Sequence, residues 1–155
     1  MIFGKGWKKP GRSVREKADV SRFEEMHRSC YDVALSEIRA GYKESHWMWF
    51  IFPQLKGLGH SYMAQKYGIQ DLAEARAFMA DPYLGSNLTE ICNALLSLPG
   101  KDPVRIFGPV DAVKLKSSMT LFECVSEKDS VFGKVLDRYF SGQRDALTYR
   151  LLGRS

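Results

Sequence analysis

A histidine ahead of an aromatic run, an amide directly after that run, and a lysine with two serines far downstream are the side chains best suited to chemistry in this chain. As a histidine, His46 can serve as a general base or as a donor to phosphate at the mouth of an aromatic pocket. A histidine that merely caps the start of a buried helix is the blander reading. On a helix His46 shares a face with Trp49, Phe50 and Pro53 while Ser45 points elsewhere, so Ser45 and His46 do not form a nucleophile and base, and a serine hydrolase is argued against. Trp47 and Trp49 can fill a core or line a ligand site, and an indole N–H needs a partner once it is buried. Gln54 is more informative. Directly after Phe52 and Pro53 its amide must either reach solvent or satisfy a buried group, and in the second case it can read the amide edge of a ligand.

Two further groups join these. Gly57-Leu58-Gly59-His60-Ser61 is a glycine turn running into a helix start, where free N–H groups can hold a phosphate. It lacks the full dinucleotide-binding glycine pattern, a preceding strand and a P-loop lysine, so a plain turn with Ser61 as N-cap is the simpler reading. Lys114, Ser117 and Ser118 fall on one side of a helix, away from the stripe of Leu115, Met119 and Phe122. That polar side is a solvated face, or, beside an aromatic pocket, a place for an anionic ligand. His27, His46 and His60 lack the spacing of a helical metal-ligand pair, and no metal or cofactor is expected. Cys30, Cys92 and Cys124 are widely spaced among apolar neighbours with no C-x-x-C pair, and read as small hydrophobes in a reducing compartment rather than as reactive thiols.

The elements that must position these residues follow from composition and period. A chain of 155 residues, 45% hydrophobic and 12% aromatic, has the length and the material for one domain with a real core, which excludes disorder over most of it. No stretch approaches the roughly 20 apolar residues of a membrane span and no signal-peptide pattern is present, so the expectation is a cytoplasmic protein. The net charge of +5 suggests nucleic acid until it is located. Lys5, Lys8, Lys9, Arg12, Arg15 and Lys17 stand against Glu16 alone, and their excess is the whole of it, so the chain from Asp19 onward is balanced. Residues 1–18 read as a disordered basic leader that aids solubility or binds phosphate loosely, and residues 19–155 as a single helical domain.

Beyond the leader, helix signals succeed one another. Ser21 with Glu24 reads as a capping box, followed by Phe23, Met26, Cys30, Ala34 and Ile38 until Gly41. Asp71 caps a segment through Leu72, Ala75, Phe78 and Met79. Asp81-Pro82 starts a helix whose stripe is Leu84, Leu88, Ile91, Leu95 and Leu98, and Asp102-Pro103 starts a short turn broken at Gly108-Pro109. Asp111 opens the helix that carries Lys114. Asp129 opens another through Val131, Phe132, Val135, Leu136 and Tyr139, and a last short helix runs through Ala146, Tyr149 and Leu152 to Gly153. The seven apolar residues from Trp47 to Pro53 are ambiguous by length, but a lone strand would leave backbone donors unsatisfied, so a short buried helix is expected. The fold class is therefore all-α: an irregular single-core bundle of about six to eight helices.

The run Lys43-x-Ser45-His46-Trp47-Met48-Trp49-Phe50-Ile51-Phe52-Pro53-Gln54 with Gly57-Leu58-Gly59-x-Ser61 resembles the first signature of domain-of-unknown-function family 1810. Asp111-x-x-Lys114-Leu115-x-Ser117-Ser118-Met119-Thr120-Leu121-Phe122 resembles the second. Tyr67-x-Ile69 and Ala75-Arg76-Ala77 are similar to the region between them, so the resemblance runs from about Ser21 to Gly153. It implies a compact, mainly helical fold, sometimes labelled calpastatin-like without a mechanism behind the label, and it implies no activity. Two function classes stay open. One is a site for a small anionic or nucleotide-like ligand built from His46, Trp47, Gln54, the turn at Gly57, Gly59 and Ser61, and Lys114 with Ser117 and Ser118. The other is a helical protein–protein interaction module in which the aromatic run is only core. Nucleic acid ranks third, engaged at most weakly through the leader, because the rest of the chain is charge-neutral.

Overall fold

Short polar side chains start most of the helices. The computed structural model describes residues 19–154, and the basic leader expected at 1–18 lies outside them. In chain order the helices are α1 (Ser21–Arg39), α2 (Met48–Ile51), α3 (Tyr62–Tyr67), α4 (Leu72–Ala80), α5 (Pro82–Ser97), α6 (Pro103–Glu123), α7 (Val131–Phe140) and α8 (Ala146–Leu151). Asp71, Asp81 and Asp102 accept hydrogen bonds from the first-turn N–H groups of α4, α5 and α6, as their positions before Leu72, Pro82 and Pro103 predict. The all-α expectation holds. The strand-like pairing among the described residues is one parallel bridge between Leu55 and Ile69.

Three expected starts are displaced. Ser21 is already helical, and its N–H donates to Asp19 Oδ1 at 2.9 Å, so the anticipated capping box with Glu24 does not form. Asp129 takes a left-handed φ of 65° two residues before α7, and the cap is Ser130. Asp111 lies inside α6, which runs on across a break at Gly108, where φ is 81° and ψ 164°. Glycine is suited to that conformation, and Pro109 then restarts the helix with its fixed φ. The last helix also differs from its expected stripe: Ala146 is exposed and Tyr149 half-buried, while Thr148 is the buried residue of α8.

The core is a continuous stack of aromatic rings crossing four helices. Phe23 of α1 lies 5.3 Å from Phe78 of α4, Phe78 lies 5.3 Å from Phe122 of α6, and Phe122 lies 5.9 Å from Phe132 of α7. Each ring is essentially without solvent contact, and burying one stabilises the fold by roughly 1.5–3 kcal/mol. On α1 the buried face is Phe23, His27, Tyr31, Ala34 and Ile38, one position round from the expected Met26 and Cys30, which are half-buried. The half of α6 beyond the Gly108 break packs against α4, α7 and α8. That packing encloses Ser117 and Ser118, so the expected polar face is not solvated there.

Ser118 Oγ is buried with no hydrogen-bond partner among the described residues. An unsatisfied buried hydroxyl is a cost to the fold. Ser118→Ala is therefore expected to melt at or above the wild-type temperature in calorimetry. A fall of about 3 °C or more, on the order of 1 kcal/mol at this length, would mean that the hydroxyl has a partner after all.

Candidate functional site

The aromatic run is held from a distance by one carboxylate. Glu37, on the last turns of α1, accepts from Glu44 N at 2.8 Å, Ser45 N at 3.0 Å, Ser45 Oγ at 2.5 Å and the Trp47 indole Nε1 at 2.8 Å. Burial works against the charged form of this carboxyl, but the converging donors outweigh it and hold the pKa down at about 2 against a usual 4.5. Trp47 is thereby fixed in the core, with its ring centroid 6.1 Å from Phe52 and 6.4 Å from Phe107. From there α2 turns Met48, Phe50 and Ile51 inward and leaves Trp49 half-buried.

A chain of charges then ties this segment to α6. Lys43 Nζ donates to Ser45 O at 2.6 Å and pairs with Asp111 at 2.9 Å. Asp111 also lies 3.5 Å from Lys114, one turn along α6, and the Lys114 ammonium sits 3.9 Å above the Trp49 ring. The two signatures thus meet through Lys43, Asp111, Lys114 and Trp49. Past α2, Ile69 N donates to Gln54 O at 2.9 Å and Lys56 N to Ile69 O at 2.7 Å, which pins the backbone on either side of Leu55. Gly59 follows, packed so closely that a Cβ there would stand 3.0 Å from the Ala64 methyl and 3.8 Å from Gln54 Nε2. Ser61 Oγ accepts from Ala64 N at 3.1 Å and caps α3.

These pieces enclose an open cleft of about 700 Å³, within the size range of small-molecule sites. Trp49, Leu58, Val110, Val113 and Leu147 give it apolar walls, and Gln54, His60, Ser61, Lys114, Ser117 and Asp145 are its polar groups. Gln54 is the unusual member. Only 9% exposed, its side chain makes no hydrogen bond to any described residue and lines the cleft. Ser117, also buried, donates to Val113 O at a long 3.3 Å. The Asp145 carboxylate is committed to Thr148, accepting from its N–H at 2.9 Å and its hydroxyl at 2.6 Å.

Of the nine residues singled out from sequence, Gln54, Gly59, Ser61, Lys114 and Ser117 come together in this cleft. The other four do not. His46 is exposed on the bend before α2, outside the helix whose face it was expected to share, because Trp47 and not His46 is the residue that enters the core. Trp47 is sequestered by Glu37. Gly57, at φ 105°, faces Leu151 instead of the cleft, and Ser118 turns into the interior. Trp49, Leu58, His60, Ala64, Pro109, Val110, Val113, Asp145 and Leu147 complete the lining. A signal for two of them was present: Val110 and Val113 precede Lys114 and Ser117 by four residues each, an apolar pair on the exposed side of the same helix. Asp145 and Leu147 arrive from the far end of the chain, where nothing local marks them.

Elsewhere the titratable interior reads as structure. His27 is fully buried, with Nδ1 donating to Phe50 O at 3.0 Å and Nε2 placed 3.3 Å from Asn87 Nδ2. A carbonyl can only accept, so the proton is on Nδ1, and burial pushes this imidazole below its usual range. Burial also raises all three thiols, Cys30 to about 11, which argues against a poised nucleophile. Among the described residues no group of three or more His, Cys, Asp and Glu could hold a metal ion, and no helix is long and apolar enough to cross a membrane.

Over residues 17–152 the chain matches a family described as a protein of unknown function, DUF1810. Among solved structures it is similar to the conserved hypothetical protein Rv1873 from Mycobacterium tuberculosis, with 41% identity and a TM-score of 0.85, covering 88% of this chain and 98% of that one. No curated protein matches.

Proposed function

The chain belongs to the DUF1810 family of proteins of unknown function, and from the cleft between its two signatures we propose that it binds a small nucleotide-like ligand. The reading rests on Gln54, a residue only 9% exposed whose amide makes no hydrogen bond to a described residue and meets solvent in an apolar cleft. An amide at the wall of an apolar cleft has one donor–acceptor edge to offer, so a ligand with a donor beside an acceptor, as on the lactam or amino edge of a nucleobase, can replace water there and would leave the amide unpaired if it did not match. The aliphatic walls at Leu58, Val110 and Val113 suit the faces of a flat ring. Lys114 stands at the same cleft for an anionic end. Its ammonium rests on Trp49 and shares Asp111 with Lys43, so one negative group can draw it over without leaving Asp111 unpaired. Among the described residues no lining hydroxyl is hydrogen-bonded to a histidine, so what the geometry favours is binding rather than nucleophilic catalysis.

Thermal shift and calorimetry over a panel of nucleobases, nucleosides and nucleoside monophosphates test this reading. At least one should raise the wild-type melting temperature. Gln54→Leu, close in volume, should keep the fold and weaken that ligand by about tenfold or more, as expected for one lost buried hydrogen bond. Lys114→Ala should weaken the monophosphate more than the free nucleoside. A panel with no responder, or one bound equally by Gln54→Leu, would count against it. The exposed valines favour a second reading: Val110 and Val113 are 67% and 62% exposed beside Leu147 at 44%, an apolar rim of the kind that also docks a protein partner.

A further inference from the structure

We propose that a second cleft, at the end of α1, binds a small multiply charged anion of the phosphate or diphosphate type. It has a volume of about 600 Å³ and lies between the end of α1, the connection from α5 to α6, and the first turn of α6. Arg39, Lys101 and Arg105 all line it, one from each of those three pieces of chain. None of the three forms an ion pair with a described carboxylate, whereas Arg22, Lys43, Lys114 and Arg144 all do. The one carboxylate in the cleft, Asp102, caps α6 by accepting from Val104 N at 3.0 Å, and its single charge leaves the three cations in excess. Because the chain from Asp19 onward carries no net charge, this is a local concentration on a balanced surface.

The backbone around these cations does not oppose an anion as a helix C-terminus ordinarily does. The last carbonyls of α1 are occupied: Ser36 O accepts from Ala40 N, Ile38 O from Gly41 N and Glu37 O from Tyr42 N. Gly41 and Gly100, at φ 82° and 87°, leave open space where side chains would otherwise intrude. Arg138 donates to Leu98 O at 3.0 Å, bringing a third guanidinium up behind the cleft. Two guanidinium forks and an ammonium match the oxygens of a phosphate group, and Leu98, Pro99 and Ile106 supply a small apolar floor. A concave site of this size within a neutral surface suits a small anion better than a nucleic acid, which needs a basic track along the protein.

Calorimetric titration of the full chain with inorganic pyrophosphate at fixed ionic strength tests the site. Wild type should bind, Arg39→Ala/Arg105→Ala should bind about tenfold more weakly or worse, and Lys134→Ala, at an exposed position of α7 that lines neither cleft, should match wild type. All the replaced side chains are at least partly exposed, and their loss leaves the aromatic core untouched. No binding by wild type up to about 10 mM, or binding unchanged in the double variant, overturns the proposal. So does loss of binding in Lys114→Ala alone, which would place the anion in the cleft between the two signatures. A single strand of about 20 nucleotides that displaces pyrophosphate at physiological salt, and is itself lost with the double variant, would make the surface a nucleic-acid contact instead.

Discussion

Trp47→Ala is expected to lose about 3–5 kcal/mol, enough to leave the protein barely folded at room temperature. Trp47 is 1% exposed and heads the largest fully buried side chains. Removing its ring empties a space walled by Phe52 and Phe107, which are themselves anchored and can collapse into it only in part. The loss also strands part of the Glu37 carboxylate, because Trp47 Nε1 is one of its donors. Trp47→Phe separates the two effects. It keeps a ring in the cavity and removes the indole N–H, so its cost should be nearer that of one hydrogen bond to a charged group, about 1.5–3 kcal/mol. Urea unfolding followed by circular dichroism measures both variants. A loss below about 1 kcal/mol for Trp47→Ala would mean that the aromatic run is a surface element, and the cleft built on it would then have no fixed wall.

How far the site could be read from sequence depended on the range of each interaction. The aspartates before Leu72, Pro82 and Pro103 declare their helices because a cap acts within two or three residues. Gln54 could be picked out because a polar amide after Phe52-Pro53 is locally anomalous, and the structure leaves that amide free beside a cleft. His46 was misplaced for a related reason. Helical period places His46 on the face of Trp49, Phe50 and Pro53, but α2 is a single turn that begins at Met48, so the period carries no information about residue 46. The role of Glu37 had no local mark at all. It looks like one more charged residue on the outer face of α1, and only the fold brings residues 44–47 back onto it. Ser118 shows the converse: a hydroxyl at solvent-face spacing is buried because α7 and α8, from the far end of the chain, cover its helix.

Glu37→Ala should have the second largest effect, about 2–3 kcal/mol at neutral pH, since it removes a charged acceptor from the buried Trp47 indole and from two backbone N–H groups at once. Its dependence on pH distinguishes it from a packing defect. The folded-state carboxyl is held at about 2, below the usual 4.5, so its contribution is complete above about 4.5 and is lost as pH falls from there toward 2. The stability gap between wild type and Glu37→Ala should therefore be widest at pH 7 and narrow steadily below about pH 4.5. Glu37→Gln should fall between them. Its amide oxygen can still accept from the indole and the backbone N–H groups, and its NH2 group can donate to the Ser45 hydroxyl, but without a charge on the acceptor each of those bonds is weaker. Urea unfolding at pH 7, 5 and 3 gives the three curves, and a gap that stays constant with pH would show that the charge does not hold the segment. Because residues 43–47 carry both Trp47 and the lysine that pairs with Asp111, loosening them at low pH should also free Lys114 from its place beside Trp49. Trp49 fluorescence in a Trp7→Phe/Trp47→Phe background, where it is the remaining tryptophan, should then change over the same pH interval as the loss of stability.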